Sequence, residues 1–184
     1  GGVRSQGASG AAAGFSQALG GIAAGVEKRS DDGFLGGVFV GAATGTTEVD
    51  DNAQDITQHG VFAGGYLGYD SGQHFANLSF TAGVLEERSS RRVANNLVLG
   101  GIETARADFN GTFISPALTL GRRLPVSLGT LMPSVRLRYA GLFLGGYTEE
   151  GSDADLTVAR RNVHVFDVRG QLALAMPTVT TPTQ

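Results

Sequence analysis

The chain has 184 residues, room for one domain of ordinary size or for part of a larger barrel, with a net charge of −3, no Cys and no Trp. Its 29 glycines and a charged fraction of only 17% leave little polar surface for a soluble globule and raise a membrane class. Without Cys there are no structural disulfides and no thiolate metal sites, which suits passage through an oxidising periplasm, and the scattered arginines point neither to nucleic acid nor to attachment at an anionic surface.

Residues 1–14 are rich in Gly, Ala and Ser and give no clear strand, so they read as a loop or edge segment. Between Arg4 and Glu27 no residue is charged, and Gly10, Gly14, Gly21 and Gly25 have the small-xxx-small spacing of a packed transmembrane helix. Six glycines together with Ser5, Gln6, Ser9, Ser16 and Gln17 argue against that helix, since each Gly costs about 1 kcal/mol relative to Ala. The start also lacks the basic region and apolar core of a secretory signal.

Phe15 to Glu27 is the first predicted strand, and Ser30-Asp31-Asp32-Gly33 supplies turn chemistry after it. The second strand, Phe34 to about Thr46, precedes a polar loop from Glu48 to Asp55. A third, Ile56 to Tyr69, turns at Asp70-Ser71-Gly72-Gln73. In the fourth, Ala76, Leu78, Phe80, Ala82 and Val84 alternate with Phe75, Asn77, Ser79, Thr81 and Gly83. A long loop is expected from Arg91 to Gly101, then a fifth strand from Thr104 to Arg123, in which Ile114, Pro116, Leu118 and Leu120 alternate with Phe113, Ser115, Ala117 and Thr119. Past a tight connection at Pro125 to Gly129, the sixth strand, Met132 to Tyr147, sets Val135, Leu137, Tyr139, Gly141 and Phe143 against Ser134, Arg136, Arg138 and Ala140. The seventh, Leu156 to Met176, sets Phe166, Val168, Leu172 and Leu174 against Asp167, Arg169 and Gln171, and residues 177–184 form a Thr/Pro-rich tail.

Period-two alternation over about ten residues is the signature of a transmembrane β-barrel strand. The connections alternate as well: short at Asp31, Asp70 and Pro125, long at Asp50, Asn95 and Ser152. Outer-membrane barrels have short periplasmic turns and long outer loops, whereas nothing in a soluble sandwich makes every second connection long. The expected fold is therefore all-β, an antiparallel up-and-down transmembrane barrel occupying residues 15–176. Leu78, Phe80, Leu118, Val135, Leu137, Tyr139 and Leu172 are expected to face lipid, and Asn77, Ser79, Ser134, Arg136, Arg138, Asp167, Arg169 and Gln171 to line the lumen. Seven strands cannot close an even-numbered barrel, so an ascending strand is expected before Phe15 and further strands after Gln184.

Arg91-Arg92 followed by Gly100-Gly101, the block Thr104-Ala105-Arg106-Ala107-Asp108-Phe109-Asn110-Gly111, and Gly146-Tyr147-Thr148-Glu149-Glu150-Gly151 with Leu156-Thr157-Val158 together resemble the C-terminal translocator domain of bacterial type V autotransporters. Gly64-Gly65-Tyr66-Leu67-Gly68-Tyr69 is similar to a preceding strand of that family, and the likeness runs from Phe15 to Met176. It implies a twelve-stranded outer-membrane barrel, of which this sequence would hold about strands two to eight. It also implies a passenger polypeptide on the N-terminal side, contact with outer-membrane lipid and lipopolysaccharide, and partnership with the assembly machinery. Three family features are not evident: a passenger, a helix threading the lumen, and a last strand ending in an aromatic residue.

No catalytic constellation stands out, and the expectation is a protein that is not an enzyme and holds no cofactor. His59, His74 and His164 fall near a long loop, a short turn and a strand start, so the first two belong to opposite barrel ends and cannot share a metal. There is no Gly-x-Ser-x-Gly elbow, and no helix follows Gly64, Gly65 and Gly68, which read as strand-packing positions. Asn95-Asn96 lies in an outer loop, away from any lumenal self-cleavage, and Asp50, Asp51, Asp55, Asp153 and Asp155 read as solvated loop charge rather than as cation ligands. The expected function is a translocator that anchors in the outer membrane and helps export its passenger. The alternative is a porin-like small-solute pore or an adhesin-like structural barrel without one.

Overall fold

The structure is a computed structural model that describes residues 2–6, 14–49 and 53–176. The expected loop residues Asp50 and Asp51, most of the segment between Gln6 and Phe15, and the tail at 177–184 lie outside the described residues. Among the described residues eleven strands follow in order: β1 Gly2–Gln6, β2 Phe15–Arg29, β3 Phe34–Val49, β4 Gln54–Asp70, β5 His74–Ala94, β6 Ile102–Arg122, β7 Leu124–Val126, β8 Gly129–Leu144, β9 Tyr147–Thr148, β10 Thr157–Val158 and β11 Arg161–Ala175. They pair antiparallel in the order β1-β2-β3-β4-β5-β6-β8-β11, with β7 folded back on β8 and β9 paired to β10 in a separate small ribbon. Among the described residues the sheet is open, with β1 and β11 as its edges.

Apart from shifts of a few residues at strand ends, and the short β7 where a tight connection was expected at Pro125, three boundaries differ from the sequence expectation. The strand required before Phe15 lies inside the chain as β1, which pairs Gly2 with Leu19 and Gln6 with Phe15. Arg91 and Arg92, expected in a long loop, sit in β5, which pairs with β6 up to Ala94 and Ile102 and leaves a loop of 95–101. The region between β8 and β11 contains the β9/β10 ribbon instead of a featureless loop, so β11 starts at Arg161 rather than at Leu156.

The short connections close as their turn residues require. Gly33 and Gly72 have φ of 86° and 81°, values that β-carbon-bearing residues adopt only with strain. The Gly72 N–H donates to Asp70 Oδ1 at 2.8 Å, and Arg123 makes a two-pronged contact with the same carboxylate at 2.5 and 2.8 Å. That bridge ties the 71–73 turn to the next short connection.

Because directly opposed residues share a face, the register sorts the whole sheet into two surfaces. One is nearly all apolar: Leu67, Leu78, Leu118, Leu137 and Val168 form one continuous row across five strands, with Ile22, Val38, Val61 and Phe80 on the same side. These side chains are open: Ile22 is 81% exposed, Val38 61% and Val168 58%. A soluble monomer does not leave an apolar surface of that extent uncovered.

On the opposite surface, glycines and rings interlock. A β-carbon added at Gly64 would meet the Phe39 ring and the Phe80 carbonyl oxygen at 2.5 Å, and one at Gly83 would meet the Phe113 ring and the Val61 carbonyl at the same distance. Gly37 lies under Tyr66, Gly41 under Phe62 and Gly121 under Phe75 in the same way. Of the β4 glycines singled out in the sequence, Gly64 is thus a ring seat, whereas Gly65 faces the Gly37 carbonyl and Val38 and Gly68 faces the Asn77 side chain; among the described residues no helix follows them.

Candidate functional site

All eight residues expected on the inner wall fall on the glycine-and-ring face, and the pairing gathers them into three adjacent rows near the short turns. Phe75, Gly121, Ser134 and Gln171 form one row, Asn77, Thr119, Arg136 and Arg169 the next, and Ser79, Ala117, Arg138 and Asp167 the third. The third row continues through Tyr66 and Gly37 to Glu27, where the Tyr66 hydroxyl donates to Glu27 Oε2 at 2.5 Å. Asp167 is paired with Arg169 Nε at 2.9 Å. Toward the long loops this face changes character: Gly25, Phe39, Gly64, Thr81, Ser115, Ala140 and Val165 succeed one another with no charge. The seven residues expected on the other surface, Leu78, Phe80, Leu118, Val135, Leu137, Tyr139 and Leu172, all fall on the apolar face.

The apolar face has a sharp edge. Thr44, His59, Glu86 and Asn110 form a polar row immediately beyond Ala42, Val61, Val84 and Thr112. Beyond that row β5 and β6 run on as a polar arm, flanked by β4 as far as Gln54 opposite Arg91 and extending past it to Ala94 and Ile102, and the surface continuous with the apolar face carries Arg88, Ser90 and Arg92 opposite Asp108, Arg106 and Thr104. Arg88 and Asp108 are joined at 2.8 Å but are both largely exposed, so the pair adds little.

The inner side of this arm is where the described residues have their core. Ala105, Ala107 and Phe109 are buried there with Ser89 and Glu149. Residues 145–160 fold against it: the Tyr147 ring stacks on Phe109 at 4.4 Å, and Glu150 bridges to Arg106 through two backbone hydrogen bonds of 2.8 and 2.9 Å. Arg91 donates to both Glu149 oxygens at 3.1 and 2.5 Å and to the Ala154 carbonyl at 3.1 Å. The Leu156 N–H donates to Glu149 Oε2 at 3.1 Å, so a carboxylate only 4% exposed is fully partnered. The Arg91 guanidinium holds the Glu149 carboxyl below the usual glutamate range, with the Leu156 amide assisting and burial opposing. Glu103 is also held low, first by the Ser152 hydroxyl and then by the Asp153 amide and the Asn95 side chain.

Sequence reasoning did not find this cap. Arg91 and Glu149 are 58 positions apart, and neither position shows a local pattern that names the other. His59 and His164 each hydrogen-bond to a hydroxyl, that of Thr44 at 3.1 Å and that of Tyr139 at 2.7 Å, and the His164 ring also meets the Phe143 ring edge-on at 5.5 Å; among the described residues no group of His, Asp or Glu is arranged for a metal. No helix among them is long and apolar enough to cross a membrane, a fact that does not bear on crossing by strands.

A single antiparallel meander of long strands with one open apolar face and one polar, glycine-lined face defines an outer-membrane type of β-barrel. The autotransporter beta-domain family matches residues 1–180, and the chain belongs to that family, whose members are barrels of the bacterial outer membrane. Among solved structures, the fold is similar to the translocator domain of the autotransporter NalP from Neisseria meningitidis, with a TM-score of 0.76 and 17% identity over 93% of this chain. The chain spans 58% of that domain. A more distant likeness, TM-score 0.50 and 8% identity over 87% of this chain and 26% of the other, is to the ferric yersiniabactin uptake receptor FyuA from Yersinia pestis. No curated protein matches the chain.

Proposed function

We propose that this barrel anchors its protein in the outer membrane and helps export a passenger polypeptide preceding it, as in type V secretion, without bond chemistry of its own. The apolar face meets lipid, the face with Arg136, Arg138 and Asp167 lines the lumen, and the long-loop end with the projecting arm points outward. The observation that carries this reading is the height of the apolar band. Along β5 it runs from Ala76 to Val84, roughly 30 Å of strand and about 23 Å of height at a tilt of ~40°, close to the ~25 Å lipid-facing band of such barrels. Outer-membrane lipid, lipopolysaccharide beside the arm, and the assembly machinery during insertion are the partners this reading adds.

The test uses the whole reading frame with an epitope placed in the region upstream of Gly1, expressed in a Gram-negative host. Protease added to intact cells should remove the epitope while the barrel stays folded and heat-modifiable on gels. A folded barrel with its upstream epitope protected until the outer membrane is opened would favour the porin-like alternative.

A further inference from the structure

The inner wall carries more positive charge than its own carboxylates neutralise. Arg136 lies directly opposite Arg169 across β8 and β11, and Arg138 lies opposite Asp167 one row away. Like charges set directly across a ladder repel, so the first of these pairs is a cost unless an anion shares it. Asp167 is the one carboxylate in these two rows from β5 to β11, and Arg169 already holds it at 2.9 Å. The neighbours on β5 and β6 are Asn77, Ser79, Ala117 and Thr119, none of them charged. Glu27, farther along the same row, is engaged by the Tyr66 hydroxyl. The neighbouring row runs on through Gly68 and Leu35 to Arg29, so along the two rows four guanidiniums, those of Arg29, Arg136, Arg138 and Arg169, stand against two carboxylates, those of Glu27 and Asp167, and two positive charges remain.

We propose that this arginine patch makes the lumen selective for small inorganic anions. The inference rests on reading that face as the lumen. Cationic side chains lining a water-filled passage concentrate anions locally and repel cations, as charged rings do in other pores. Arg136, Arg138 and Arg169 are all exposed on their face, so their charge is available to a passing ion.

The full-length protein, reconstituted in a planar lipid bilayer under a potassium chloride gradient, gives a reversal potential that reports the chloride-to-potassium permeability ratio. The expected ratio favours chloride. Arg136→Gln, Arg138→Gln and Arg169→Gln should each lower it severalfold, because a unit charge met at roughly 7 Å in water changes each ion's local concentration by about threefold, in opposite senses for chloride and potassium, and Asp167→Asn should raise it. A heat-modifiable gel shift identifies which variants have folded, and any that fold decide the question. A ratio favouring potassium, a ratio that these substitutions do not move, or no conductance from inserted wild-type protein would overturn the proposal. Surface exposure of the upstream epitope, measured separately, is unaffected by any of these outcomes and tests the export reading by itself.

Discussion

At the scale of single residues, facing decides what the chain tolerates. Leu137 sits mid-row on the apolar face and Ser134 on the opposite one. An arginine on a lipid face near the midplane costs roughly 2 to 4 kcal/mol, whereas the other face already holds Arg136 and Arg138. Leu137→Arg in the full-length protein should therefore abolish the heat-modifiable band, and Ser134→Arg should retain it; equal tolerance of both would contradict the assignment. The cap gives a second residue-scale expectation. Since the folded-state pKa of Glu149 is depressed, its contribution is fully present above the ordinary glutamate value of about 4.3 and is lost as pH falls through the lower folded value. Glu103 titrates in the same direction. Protease cleavage within residues 151–155 of the folded protein should thus be slow at neutral pH and rise as pH falls below about 4. Arg91→Ala should speed it at neutral pH, because leaving a buried carboxylate unpaired costs about 3 kcal/mol. Cleavage that ignores both changes would show that the ion pair does not hold the cap.

At the scale of elements, the strands were legible where an apolar face alternates with a polar one and illegible where it does not. In β5 the pattern from Ala76 to Val84 is strictly periodic, and the predicted strand and the observed one coincide there. Past Glu86 the outer surface is polar and the inner one is covered by residues 145–160, which Arg91 grips through Glu149, so the β5 residues Arg88, Arg91 and Arg92 show no apolar period although the ladder to β6 continues to Ala94. That is why the sequence suggests a loop where the structure has a strand. β1, five residues of Gly, Val, Arg, Ser and Gln, is too short and too polar to announce itself. The topology makes its own prediction. A tag inserted in the 95–101 loop should be reached by antibody on intact cells, and one at Ser71, in a turn held by Asp70 and Arg123, should be reached only after the outer membrane is opened. Labelling of intact cells at Ser71 would reverse the orientation.

At the scale of the molecule, which residues share a face was readable from the sequence, because a period of two assigns every side chain once one is placed. What could not be read was how rows assemble across strands. The seating of Phe113 against Gly83, the meeting of Arg136 with Arg169, and the contact of Arg91 with Glu149 depend on registers that no single strand encodes. The central claim is that one face meets lipid and the other water. The chain contains no Cys, so single cysteines introduced at 134, 135, 136, 137 and 138 of the full-length protein, with any cysteine elsewhere removed, can be treated with a membrane-impermeant thiol reagent after reconstitution. Labelling should alternate, strong at 134, 136 and 138 and weak at 135 and 137. Uniform labelling, or the opposite alternation, would contradict the account.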